Sequence, residues 1–299
     1  MNEKEFAALN ENFGMISTLE VVRDGDVPVL RISTPLASAR ISMQGAQVLE
    51  WQPAGHTPVL WVSHAAVYEL GRGVRGGVPV CWPWLGAGEG GLPAHGFVRT
   101  RMWELRETGW KGDLLIVRLG LRDDEGTRAI WNHAFDLELR VTIGRTLRMQ
   151  LITTNTGKEP FVITDALHTY FRIGDIARTQ VEGLDGVEYF DKVQDMSRHR
   201  QHGAVKVAGE VDRIYLDTRA SCVIHDVGHD RRIQIDKSGS NTTVVWNPWI
   251  EKTRGFSDMK TDEYREMLCV ETCNAANDTV TVAPGERHVL AAEIAVETD

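Results

Sequence analysis

Two stretches of this sequence hold side chains suited to moving protons. Residues 164–171 read TDALHTYF, and residues 267–273 read MLCVETC. As strands, their two-residue alternation sets His168 and Tyr170 on one face of the first. It sets Cys269, Glu271 and Cys273 on one face of the second. An imidazole gives and takes protons near neutral pH. A carboxylate between two thiols on an apolar strand is poorly solvated, which raises its pKa and makes it a stronger base. The bland alternatives are a satisfied core histidine and a glutamate that faces water.

A third stretch is suited to holding charge. Residues 71–101 carry Arg72, Arg75, Arg99 and Arg101 against one acid, Glu89. Nine glycines and three prolines make this stretch a shaped loop rather than sheet, and such loops often carry function. Guanidinium forks bind phosphate bidentately. His95 lies in the same loop, in the string PAHGF. Further on, Glu210–Tyr215 reads EVDRIY, where Asp212 or Glu210 is either a surface carboxylate or an acceptor for sugar hydroxyls. Tryptophan faces stack on sugar rings. Together these groups describe a cleft with two histidines, two carboxylates, several tryptophans and a cationic rim.

Two strings point elsewhere and are set aside. Gly71-x-Gly73-x-x-Gly76 matches the dinucleotide fingerprint, which needs a helix to start at its glycines. Here Gly77, Val78 and Pro79 follow, so a turn with close backbone approach is expected. Cys269 and Cys273, with His225 and His229, suggest zinc. Four residues of strand put the two cysteines ~13 Å apart, too far to share one ion.

The elements that must position these groups are mostly strands. The chain has 299 residues and a net charge of −9. The acidic balance argues against nucleic acid or an anionic membrane surface as partner. Four cysteines make no disulfide framework. The polar N-terminus has no secretory pattern and no apolar run approaches ~20 residues, so a cytoplasmic protein is expected. Short β-branched runs separated by Gly, Asn, Asp and Pro recur along the chain. They include 29–32, 46–51, 135–143, 147–154, 161–171, 222–226, 232–236, 243–246, 267–273 and 289–296. Residues 3–13 read as a short helix or frayed end, and 262–267 as one possible helical turn. The pattern predicts an all-β chain of antiparallel strands in one large β-sandwich. It predicts a single domain over 1–299, with 1–20 as an N-terminal helix or arm and 20–299 as the sandwich.

Six ordered motifs then carry a family resemblance. They are RGGVPVCWPWLG (75–86), PAHGFVR (93–99), LHTYF (167–171), VDRIY (211–215), VWNPW (245–249) and CVE (269–271). In this order they resemble the hexose-6-phosphate mutarotases (glucose-6-phosphate 1-epimerases) of the aldose 1-epimerase superfamily, from about residue 20 to the C-terminus. The resemblance implies a galactose-mutarotase-like β-supersandwich, a phosphosugar substrate, a monomer, and neither cofactor nor metal. It implies His168 as general acid and Glu271 as general base. It implies His95 and Asp212 as substrate-positioning residues, and Arg75 and Arg99 as phosphate and sugar contacts. Some relatives have Gln where this chain has Ala94. Three other functions compete: a mutarotase for neutral aldoses, a glycoside hydrolase using Asp212 and Glu271, and non-catalytic carbohydrate binding.

Overall fold

A computed structural model describes residues 2–298. Its sheets are antiparallel. A four-stranded meander (Leu19–Asp24, Val27–Ser33, Ala37–Ser42, Val48–Pro53) leads into two large sheets. One has nine strands, from Val205–Lys206 at one edge to Glu104–Lys111 at the other. The other has eight, centred on Thr242–Asn247 and Met267–Asn274. One apolar cluster, with members from Leu19 to Ile294, fills the space between them. This is the large antiparallel β-sandwich that the period-2 runs predict. Glu3–Phe13 is a helix because Asn2 and Glu5 form a capping box at its start.

Several expectations needed adjustment. Residues 161–171 form three short strands, not one: Phe161–Ile163 pairs with Val280–Val282, while Asp165–Leu167 and Tyr170–Arg172 join Met267–Asn274. The strands Glu104–Lys111 and Leu114–Arg122 were not anticipated; the first is a sheet edge whose polar residues hide its period.

His225 and His229 are structural. His225 pairs with Glu182 at 3.1 Å, and His229 with the buried Asp226 at 2.8 Å. Arg231, 2% exposed, also grips Asp226 and donates to the backbone carbonyls of Thr57, Pro58 and Arg172. Its fork thus ties three segments together. Arg231→Lys keeps the charge but loses the fork, and should cost about 2 kcal/mol, because buried carbonyls lose their donors. A urea midpoint series checks this; an unshifted midpoint would contradict it.

Candidate active site

The eight-stranded sheet builds the floor of a cleft of about 740 Å³. Leu167 pairs with Thr272 and Tyr170 with Cys269, in one unbroken register. His168 therefore falls opposite Glu271, although the two are 103 positions apart in the chain. Opposed side chains in a ladder lie ~5 Å apart at Cβ. His168 Nδ1 accordingly sits 3.3 Å from Glu271 Oε1. The ladder opens at His168 because its N–H donates to Pro79 O instead, and the Tyr170 N–H to Gly77 O. Those two bonds pin the arginine-bearing loop to the strand that carries the histidine. Gly76 and Gly77 permit this approach. Both have positive φ, and a Cβ there would meet the backbone oxygens of Trp61 and Val48 at 2.4 and 2.3 Å. The glycine string is thus a packing device, as the missing helix implied.

The rest of the floor follows from alternation. Val244 pairs with Glu271, Trp246 with Cys269, and Asp212 with Trp246. Val244, Trp246 and Asp212 all line the cleft. Tyr170 stacks on His168 at 4.8 Å, and Trp246 meets it edge-on at 6.0 Å. Arg75, His95 and Arg99 line the wall. The structure therefore gathers His168, Glu271, Arg75, His95, Arg99 and Asp212 into one cleft. Arg72 is there too, whereas Arg101 is not among its lining residues. The expected tryptophan wall is a correction. Trp82 is wholly buried in the core, bonded to Thr153, and Trp84 donates to Pro93 O; only Trp246 lines the cleft among the described residues. Lys192 and Lys252, which no motif marked, line it as well.

The charges divide sharply. Arg75 is held by Asp258 at 3.2 Å and packs over Phe256. Lys192 pairs with Asp212 at 2.9 Å, Lys252 with Glu210 at 2.6 Å, and Arg72 with Glu69 at 3.9 Å. Arg99 alone among these cations has no carboxylate partner within the described residues. Two of the four loop arginines, Arg72 and Arg75, are therefore answered, and among the cations that line the cleft the unpaired positive charge sits on Arg99.

Burial dominates the acid–base pair. It pushes Glu271 well above the usual carboxylate range, helped by Asp212 and opposed by Lys192. It pushes His168 well below the usual imidazole range, helped by His95, Arg75 and Arg99. Burial thus works against the charge on both members of the pair, the carboxylate and the imidazolium alike. His95 is pushed down to about 4, by burial first and Arg99 next, and is neutral at pH 7. His168, Cys269 and Glu271 also bring one metal-ligating atom each within 4.8 Å of the others.

An imidazole and a carboxylate in register on the floor of a polar cleft equip the fold for acid–base chemistry on a small polar ring. The profile of the aldose 1-epimerase family matches residues 28–295. A Salmonella typhimurium protein provisionally named glucose-6-phosphate 1-epimerase is 36% identical over 252 residues, 84% of each chain. A Cenchrus ciliaris protein with the same name is 34% identical and covers 83% of this chain and 78% of its own length. The crystal structure of a Salmonella typhimurium protein titled as a mutarotase superposes with a TM-score of 0.90 at 34% identity, covering 95% of both chains. A galactose mutarotase-like protein from Clostridium acetobutylicum, at 13% identity and TM-score 0.74, shares the fold over 94% of this chain and 98% of its own. This chain belongs to the aldose 1-epimerase family. It is an isomerase that interconverts sugar anomers. Among the described residues no helix is long and apolar enough to cross a membrane.

Proposed function

We propose that the sugar is a hexose 6-phosphate, with glucose 6-phosphate the first candidate, and that His168 and Glu271 move its protons. The observation that carries this is a cleft holding an in-register imidazole and carboxylate together with one unpaired guanidinium, Arg99. A phosphate dianion takes a bidentate fork, and Arg99 is the cation free to offer one. Arg75, fixed by Asp258, supplies a second positive edge. Neutral His95 and the Asp212 carboxylate bond sugar hydroxyls. The relatives' names point to the same substrate.

Anomer exchange needs the ring to open. Glu271 takes the proton of the anomeric hydroxyl while His168 protonates the ring oxygen. The C1–O5 bond breaks, leaving an aldehyde, a protonated Glu271 and a neutral His168. The aldehyde turns about C1–C2 and the ring closes on its other face, with each group returning its proton. The pair holds one proton throughout. Burial penalises the ionised pair that faces the closed ring and relaxes for the neutral pair that accompanies the open-chain sugar, so it favours the groups as they stand beside the intermediate. One proton transfer across the 3.3 Å gap generates the form that starts from the closed ring.

Anomer-exchange NMR on glucose 6-phosphate tests the proposal; exchange no faster with protein than without would end it. Arg99→Met should raise KM for glucose 6-phosphate roughly 10- to 100-fold, the worth of a charge-assisted hydrogen bond or two. It should leave exchange of glucose nearly unchanged. Equal losses on both sugars would take the phosphate away from Arg99.

A further inference from the structure

The proposed chemistry gives Cys269 no task. Its thiol is fully buried, alternates with Glu271 along one strand, and lies in register between Tyr170 and Trp246. Nothing among the described residues hydrogen-bonds its thiol, and the His168 Nδ1 and Glu271 Oε1 atoms, 3.3 Å apart, face each other without a well-formed hydrogen bond. Three polar groups thus converge with no hydrogen bond to a further side chain or to the backbone at their ligating atoms.

Their spacing suits a metal. A tetrahedral zinc-class ion binds nitrogen, oxygen and sulfur at about 2.0–2.3 Å, which sets its ligand atoms roughly 3.5 Å apart. His168 and Glu271 are at 3.3 Å already, and all three atoms lie within 4.8 Å of one another. Small rotations of an unbonded thiol and an unbonded carboxylate close the remainder. An N, O, S donor set favours a borderline-soft divalent ion over magnesium or calcium, which take oxygen. His168 and Glu271 line the cleft, so the fourth position opens toward bound sugar.

We propose that His168, Cys269 and Glu271 form an inhibitory site for a zinc-class divalent cation. Binding forms metal–sulfur, metal–oxygen and metal–nitrogen bonds; it releases the thiol proton and the proton that Glu271 holds to solvent, while His168 binds as the neutral imidazole. The ion then occupies the two side chains that move protons, so inhibition is competitive with the sugar. The inhibitory consequence rests on the acid–base roles proposed above; the binding itself does not.

Titration of the whole protein with cadmium tests the site, because a cadmium–thiolate bond absorbs in the ultraviolet. The absorbance should saturate at one equivalent and be lost in Cys269→Ala, yet persist in Cys222→Ala, whose thiol lies in the other sheet. Zinc should inhibit anomer exchange competitively with glucose 6-phosphate. In Cys269→Ala the half-inhibitory zinc concentration should rise at least tenfold, measured against that variant's own metal-free rate. If Cys269→Ala does not fold, displacement of cadmium from the unaltered protein by glucose 6-phosphate replaces it. No thiolate absorbance with excess cadmium, or absorbance and zinc sensitivity unchanged in Cys269→Ala, would overturn the site. Bound cadmium with undiminished exchange would keep the metal site and overturn the acid–base roles instead.

Discussion

Glu271→Gln is expected to slow anomer exchange of glucose 6-phosphate by roughly 10²–10⁴-fold, the usual contribution of one proton-transfer group. The amide matches the carboxyl in shape but can neither take a proton from the anomeric hydroxyl nor return one. Val244, Trp246 and Asp212 keep their places, since the floor is set by backbone register. Sugar binding should therefore survive within a few-fold, read by titration with glucose 6-phosphate. His168→Gln should lose a similar factor. The double variant should be little worse than either single one, because a pair that shares one proton fails as a unit. Exchange within tenfold of the parent in Glu271→Gln would remove the pair from catalysis. Loss of binding together with exchange would make the residue structural.

The split between binding and exchange also separates the competing functions. A carbohydrate-binding protein with this cleft loses nothing measurable in exchange when Glu271 becomes Gln. A hydrolase needs two carboxylates facing one bond. Here the second candidate, Asp212, is held by Lys192 at 2.9 Å, on a strand two away from Glu271. That places Asp212 better for holding a hydroxyl than for attacking a glycosidic carbon.

What the sequence disclosed follows physical lines. Glu271 and His168 were visible because each is a polar group on a strand that otherwise reads as core. Their opposition was not visible, because it depends on register between strands about a hundred residues apart. Arg75 and Arg99 stood out as charge in a glycine-rich loop. Their inequality did not, since Asp258, which answers Arg75, lies 183 positions downstream. Lys192 lies in a short turn after Glu188–Asp191, outside any motif, and only the neighbouring strand brings it to Asp212. Trp82 and Trp84 misled because an indole reads alike whether it meets a sugar or a core. The opposed shifts of the pair were illegible for a related reason: sequence fixes which groups titrate, whereas burial fixes how heavily each charge is penalised.

Burial is at work again three residues before His168. Asp165 is fully buried in the eight-stranded sheet, and neither of its oxygens makes a well-formed hydrogen bond. Its nearest cationic candidate, His288 Nε2, is 3.9 Å away and bonds Asn274 Oδ1 at 3.1 Å instead. Burial first, then the nearby Asp278, push the acid from 3.8 up to about 8, against a smaller pull from the Asn274 N–H. The folded chain therefore keeps this proton over a range where the unfolded chain has released it. Stability from this group is complete below pH 4 and is lost as pH rises through 8. At 1.4 kcal/mol per unit, the loss between pH 5 and 8 is up to about 4 kcal/mol. His95, His168 and His288 are shifted down by burial and work in the opposite sense, adding stability as pH rises. The sharp measurement is consequently a difference. Asp165→Asn has no proton to lose, so its stability relative to the parent should climb steadily between pH 5 and 8 in parallel urea titrations. Curves that keep a constant separation over that range would show that Asp165 is ionised throughout, with His288 charged beside it.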